Sequence, residues 1–135
     1  MPIEDAVTIE TILRTSKTIA LVGASEDPSR DSHRIMRFLL DRGYTVHPVN
    51  PRYDTVLGKR CFPNLEAVPE SIDIVDVFRR LEAVPEIVDE AIGVKAKVLW
   101  LQFGVIHEEA AAKAEEHGIR VIMDRCIAVE HSRLM

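Results

Sequence analysis

Residues 18–51 read TIALVGASEDPSRDSHRIMRFLLDRGYTVHPVNP, and their pattern decides the fold. Ile19 to Val22 form an unbroken apolar run that ends at Gly23, the signature of a strand buried on both faces. Residues 24–31 are rich in Ser, Asp and Pro and read as loop. From 32 to 42 the apolar period becomes helical: Ile35 with Leu39, and Met36 with Leu40, face inward, while Arg34, Arg37 and Asp41 line the outside. Asp31 or Ser32 is expected to cap this helix and Gly43 to end it. Residues 44–49 then form a second strand. The unit resembles a dinucleotide-binding βαβ unit but departs from its fingerprint twice. One glycine is followed by Ala24 and Ser25 where G-x-G-x-x-G is expected. The second strand closes on Asn50, Pro51 and Arg52 where a carboxylate is expected.

The same reading extends outward in both directions. Residues 4–15 carry Ala6, Ile9, Ile12 and Leu13 at helical spacing. Residues 50–64 read as a long loop, and IDIVDVF (72–78) as a third strand. Pro85 suits the first turn of a helix running to about residue 92. AKVLWLQ (96–102) is a fourth strand, residues 107–117 an alanine-rich helix ending at Gly118, and IRVIMD (119–124) a fifth strand. Alternating strands and helices joined by right-handed crossovers give an α/β fold. It is expected to be one Rossmann-like domain spanning residues 1–135. Its doubly wound parallel sheet has five strands in the order 3-2-1-4-5, with helices on both faces and an N-terminal helix.

Composition bounds the function. The chain has 135 residues, 47% of them hydrophobic and only 5% aromatic, so the core is aliphatic. The net charge of −5 carries no clustered basic excess of the kind nucleic-acid binding requires. No apolar run approaches the roughly 20 residues of a membrane helix. The two cysteines, Cys61 and Cys126, form no zinc-ligand pattern with the histidines, so no metal is expected, and they suit a reducing, cytoplasmic setting.

In such sheets ligands bind beyond the carboxyl ends of the strands. Gly23 leaves the backbone open to close approach by a phosphate, and Ser25 offers a hydroxyl. The helix that begins near Ser32 presents free N–H groups, with Arg30 and His33 beside them. Arg52 replaces the usual carboxylate and can clamp a phosphate bidentately, with Lys59 and Arg60 nearby. A ribose bearing a phosphate is therefore expected, and NADP and coenzyme A both have one. Arg79 and Arg80 add charge after the third strand, unless one pairs with Asp76 or Glu82. Gln102, Phe103 and Gly104 follow the fourth strand. No strand end carries paired carboxylates or a Ser-His-Asp set, so binding is expected rather than catalysis. His47 is read as packed inside its strand, His107 as a helix cap, and His117 and His131 as surface residues. Cys126 is read as a buried structural thiol, and Cys61 as a thiol whose pKa the neighbouring Lys59 and Arg60 lower.

The motifs IALVGAS, PSRDSHRIMRFLLDRGY, VHPVNP, GKRCFPNLEAVP, IDIVDVFRR, LWLQFGV and VIMDRCIAVE, in this order, resemble the small stand-alone CoA-binding proteins. Their fold is that of the CoA-binding domain of the succinyl-CoA synthetase alpha subunit. The resemblance implies coenzyme A, or an acyl-CoA, rather than NADP. It implies a pyrophosphate held by Gly23, Ala24 and Ser25, with Arg30 and Ser32 reaching phosphates. Val49, Asn50, Pro51 and Arg52 would flank the adenosine, Phe78 and Arg79 the next strand end, and Gln102 and Gly104 the pantetheine. It names no protein partner. An NADP-binding reductase, or a CoA-ligase component working with a separate chain, is the alternative.

Overall fold

A computed structural model describes all 135 residues. Helix α1 (Ala6–Thr15) is capped by Asp5, whose carboxylate accepts the Thr8 N–H, and buries Ile9, Ile12 and Leu13. Strand β1 (Thr18–Val22) is buried at every residue. Helix α2 (Asp31–Asp41) follows, then β2 (Thr45–Val49). The expected long loop contains a small hairpin, β3 (Thr55–Val56) with β4 (Lys59–Arg60). Its two-residue turn has positive φ at both Leu57 and Gly58, the geometry that matches strand twist. Strand β5 (Ile74–Val77), α3 (Val84–Gly93), β6 (Val98–Leu101), α4 (Glu108–Glu116) and β7 (Arg120–Ile122) complete the alternation. A last helix, α5 (Ile127–Leu134), was not anticipated. No helix is long and apolar enough to cross a membrane.

The main sheet is parallel and five-stranded, in the order β2-β1-β5-β6-β7. Counted along its own five strands this is 2-1-3-4-5, which corrects the expected 3-2-1-4-5. The connections explain the difference. Helix α2 packs Met36 and Leu39 on the face that also holds α1 and α5. The segment from β2 to β5 instead lays Phe62, Leu65, Val68 and Ile72 on the opposite face, with α3 and α4. Right-handed crossovers on opposite faces step in opposite directions across a sheet. The chain therefore steps one way from β1 to β2, then back past β1 to β5, and onward to β7. The topological switch point lies between β1 and β5, and a crevice opens there above the strand ends.

Candidate functional site

A groove of about 1870 Å³ runs along the carboxyl ends of the strands. Ten of the expected residues line it: Gly23, Ala24 and Ser25 after β1, Arg30 and Ser32 at the head of α2, Asn50 and Arg52 after β2, Phe78 and Arg79 after β5, and Gln102 after β6. Val49, Pro51 and Gly104 do not. Val49 is buried beneath the floor, where its carbonyl accepts the Gly23 N–H at 2.9 Å. Pro51 sits in an exposed turn, and the Gly104 N–H is taken by Asp124 Oδ1 at 2.7 Å.

The loop after β1 is wired so that its carbonyls turn to the protein. Asn50 Nδ2 donates to the Ala24 carbonyl at 2.8 Å, and Asn50 Oδ1 accepts the Arg52 N–H at 2.9 Å. His33 is buried, with Nδ1 2.8 Å from the Ser25 carbonyl and Nε2 3.2 Å from the Arg37 guanidinium. A guanidinium only donates, so Nε2 accepts and Nδ1 carries the proton it gives to Ser25. Replacing His33 by Leu strands the Ser25 carbonyl and is expected to cost about 1–3 kcal/mol. His33→Asn, which can supply an N–H at similar reach, is expected to lose less. Urea unfolding of both variants checks this, and equal losses would deny His33 its donor role.

With the carbonyls so engaged, the backbone N–H groups of Ala24 and Ser25 have no protein acceptor, nor do those of Asp31 and Ser32 in the first turn of α2. Ser32 is only 6% exposed, its hydroxyl has no protein partner, and it lines the groove. The expected cap is absent: Arg30 occupies the N-cap position without a side-chain bond, and Asp31 pairs with Arg34. An open helix head with free N–H groups and a free hydroxyl is suited to an anion. Arg52, Arg79 and Arg80 line the same groove, and none is paired with a carboxylate. The expected pairing of Arg79 or Arg80 with Asp76 or Glu82 does not form, because Asp76 points into the interior. Arg30 lies 4.0 Å from Asp27, a loose contact at an exposed site.

Gly23 has a second reason to be glycine. Its φ is +92°, and a Cβ built there would stand 2.3 Å from the Phe78 carbonyl oxygen. The missing side chain lets β1 and β5 close at the switch point. Close approach of protein backbone, rather than of ligand, is what the structure demands here.

Other expectations change. Cys61 is buried, its thiol donates to the Asn50 carbonyl at 3.4 Å, and burial pushes its pKa up, so Lys59 and Arg60 do not activate it. Cys126 is half-buried rather than buried: it stands at the N-cap position of α5 and lines the groove. His131 is buried, edge-on to Phe38 at 5.5 Å and Tyr44 at 5.8 Å, and burial followed by the Arg42 charge lowers its pKa. His107 caps α4 as expected, Nδ1 accepting the Ala110 N–H at 3.1 Å. His47 is largely buried against Phe62, with Nε2 2.8 Å from Glu70. Tyr53 also lines the groove, its hydroxyl 3.5 Å from Ser25 Oγ. An aromatic three residues after Asn50 in a polar loop was the signal for it.

The chain is similar to known proteins in sequence and fold. The chain is 44% identical over 124 residues to the uncharacterized protein YneT of Bacillus subtilis, covering 92% of each. The structure of a hypothetical protein from Pyrococcus horikoshii superposes with a TM-score of 0.95 at 43% identity, over 99% of this chain and 96% of that one. The ADP-forming acetate–CoA ligase I of Archaeoglobus fulgidus is 26% identical over 128 residues; these cover 87% of this chain but only 19% of the ligase. Residues 17–132, which hold the whole sheet and most of the groove above it, match the CoA binding domain family, and the chain belongs to that family.

Proposed function

We propose that this protein binds coenzyme A along the groove, with its pyrophosphate at the head of α2 and its phosphorylated ribose beside Arg52. One observation carries the reading: Ala24, Ser25, Asp31 and Ser32, whose N–H groups have no protein acceptor, and Ser32, whose hydroxyl has no partner, line the same groove as unpaired arginines. Coenzyme A is anionic at two places, the pyrophosphate and the 3′-phosphate, and the groove offers a donor set for each. Asn50, held by Ala24 and Arg52, sets the edge where the adenosine rests, with Val49 and Pro51 fixing its backbone from outside the groove. Phe78 and Arg79 border the middle of the ligand. Gln102, whose Oε1 is spent on the Ile127 N–H at 3.2 Å, directs its amide group to the pantetheine arm, and Gly104 lets the chain turn behind it. Family membership supports the ligand class. The ligase relatives carry the same unit as a small part of a larger chain.

Calorimetric titration with CoA, dephospho-CoA, NADP and NAD tests the assignment. CoA is expected to bind with micromolar affinity, about −8 kcal/mol. Dephospho-CoA loses a charge-assisted contact worth roughly 1.5–3 kcal/mol, so it is expected to bind at least about tenfold more weakly. Arg52→Ala is expected to erase most of that difference. NADP binding without CoA binding would replace the assignment with a reductase. Equal affinity for CoA and dephospho-CoA would remove Arg52 from the site.

A further inference from the structure

The groove is longer than its phosphate end needs, and its character reverses along its length. Beyond Gln102, over the ends of β6 and β7, it is lined by Phe103, Val105, Ile106, Met123 and Val129. Three of these are large apolar side chains left open to water: Phe103 is 78% exposed, Val129 58% and Ile106 49%. The exposed Val7 and Leu81 lie outside the groove. Here they border one depression continuous with the cofactor groove. Apolar surface gathered at a polar-rimmed groove marks a binding site.

The charges reverse as well. At the α2 end the unpaired groups are Arg52, Arg79 and Arg80. At the β6–β7 end they are acidic. Glu130 pairs with both Arg125 at 3.1 Å and Arg133 at 2.8 Å, a trio with one positive charge in excess, and Glu115 pairs with the terminal ammonium at 3.0 Å. Glu4, Glu108 and Asp124 line this end with no cationic partner. A fitting ligand is polyanionic at one end, and apolar and uncharged at the other.

Free coenzyme A meets only the first condition, because its far end is a single thiol. We infer that the ligand is an acyl thioester of CoA with an uncharged aliphatic chain of about four carbons or more, the chain lying against Phe103, Ile106 and Val129. The inference rests on CoA occupying the groove with its phosphates at the α2 end. It excludes dicarboxylic acyl groups, since a terminal carboxylate would be set among Glu4, Glu108 and Asp124 in a partly desolvated arm.

Titration with CoA, acetyl-CoA, butyryl-CoA and succinyl-CoA separates the possibilities. Each buried methylene contributes about 0.8 kcal/mol, so the butyryl chain is expected to tighten binding at least about tenfold over CoA. Succinyl-CoA is expected to bind no better than CoA. In the Phe103→Ser/Ile106→Ser double variant, whose changes fall on exposed side chains, the butyryl-to-CoA affinity ratio is expected to drop to about one. CoA binding with no gain from butyryl, or a gain that succinyl matches, overturns this inference and leaves the cofactor assignment standing. The apolar patch would then belong to a protein partner. Failure of CoA and of every thioester overturns both.

Discussion

Gly23→Ala is expected to lower stability by about 2–5 kcal/mol, the sum of two independent penalties. The residue has φ of +92°, where a side chain costs about 1–2 kcal/mol. The new Cβ would also sit 2.3 Å from the Phe78 carbonyl oxygen and 3.0 Å from Arg79 Cδ. The arginine can swing away but the carbonyl cannot, because Phe78 is anchored through its N–H to Val22 at 2.8 Å. Forcing that separation carries an overpacking cost of about 1–3 kcal/mol. The strands that must part are β1 and β5, so the damage falls on the switch point. Gly104→Ala is the control: φ is +86°, but nothing lies within 4 Å of the added carbon. It carries the conformational cost alone. Thermal unfolding is expected to show a drop on the order of 10 °C for Gly23→Ala and a few degrees for Gly104→Ala. Matching drops would mean that backbone conformation, not strand closure, explains the glycine. CoA affinity should fall with Gly23→Ala.

How far the sequence disclosed this molecule follows from where each feature's information lies. The five strands and four of the five helices were legible because each is written locally, as an apolar run or a helical period. Helix α5 was not. Its buried positions Ile127, Glu130 and His131 have helical spacing, but two of the three are polar, and their burial depends on partners distant in sequence: Arg125 and Arg133 for Glu130, Phe38 and Tyr44 for His131. Strand order failed for a related reason. It is decided by which face each connection crosses, and residues 50–73 carry no helical period that would reveal their face. Ten of the residues picked by the strand-end rule line the groove, because parallel strands deliver their following residues to one rim. Val49, Pro51 and Gly104 fall outside it: the last strand residue and first turn residue after β2 alternate away from the rim, and the Gly104 N–H is turned to Asp124. The rule named Phe103 at a strand end without giving it a role, and it missed Ile106 and Val129. Phe103, Ile106 and Val129 are unremarkable in sequence, and only their shared exposure over the ends of β6 and β7 gives them meaning.

Asp76 shows the opposite case, a residue whose local pattern concealed its position. The alternation I-D-I-V-D-V-F admits Asp76 as a rim residue near the arginines. In the sheet it is fully buried, paired in register with Leu21 of β1 and Trp100 of β6, and neither carboxyl oxygen has a hydrogen-bond partner. Trp100 cannot help, since its indole N–H is given to the Arg125 carbonyl at 2.8 Å. Burial pushes the Asp76 pKa well above the ordinary carboxylate range. The native chain therefore holds a proton that the unfolded chain releases near pH 4. Native binds more protons than unfolded between those two values, so stability declines as pH rises from about 4 toward the native pKa. Asp76→Val removes the unpartnered oxygens and supplies a β-branched side chain to a central strand. It is expected to stabilise the fold by about 1–3 kcal/mol near neutral pH. The gain should shrink toward pH 4, where the wild-type carboxyl is protonated in both states. Urea unfolding of both proteins at pH 4.5, 6 and 8 measures it. A variant less stable than wild type at pH 8 would show that Asp76 is hydrogen-bonded in solution and contributes to the core. A stabilised variant that loses CoA affinity would place the cost of this carboxyl on the side of function, at the strand that forms one wall of the switch point.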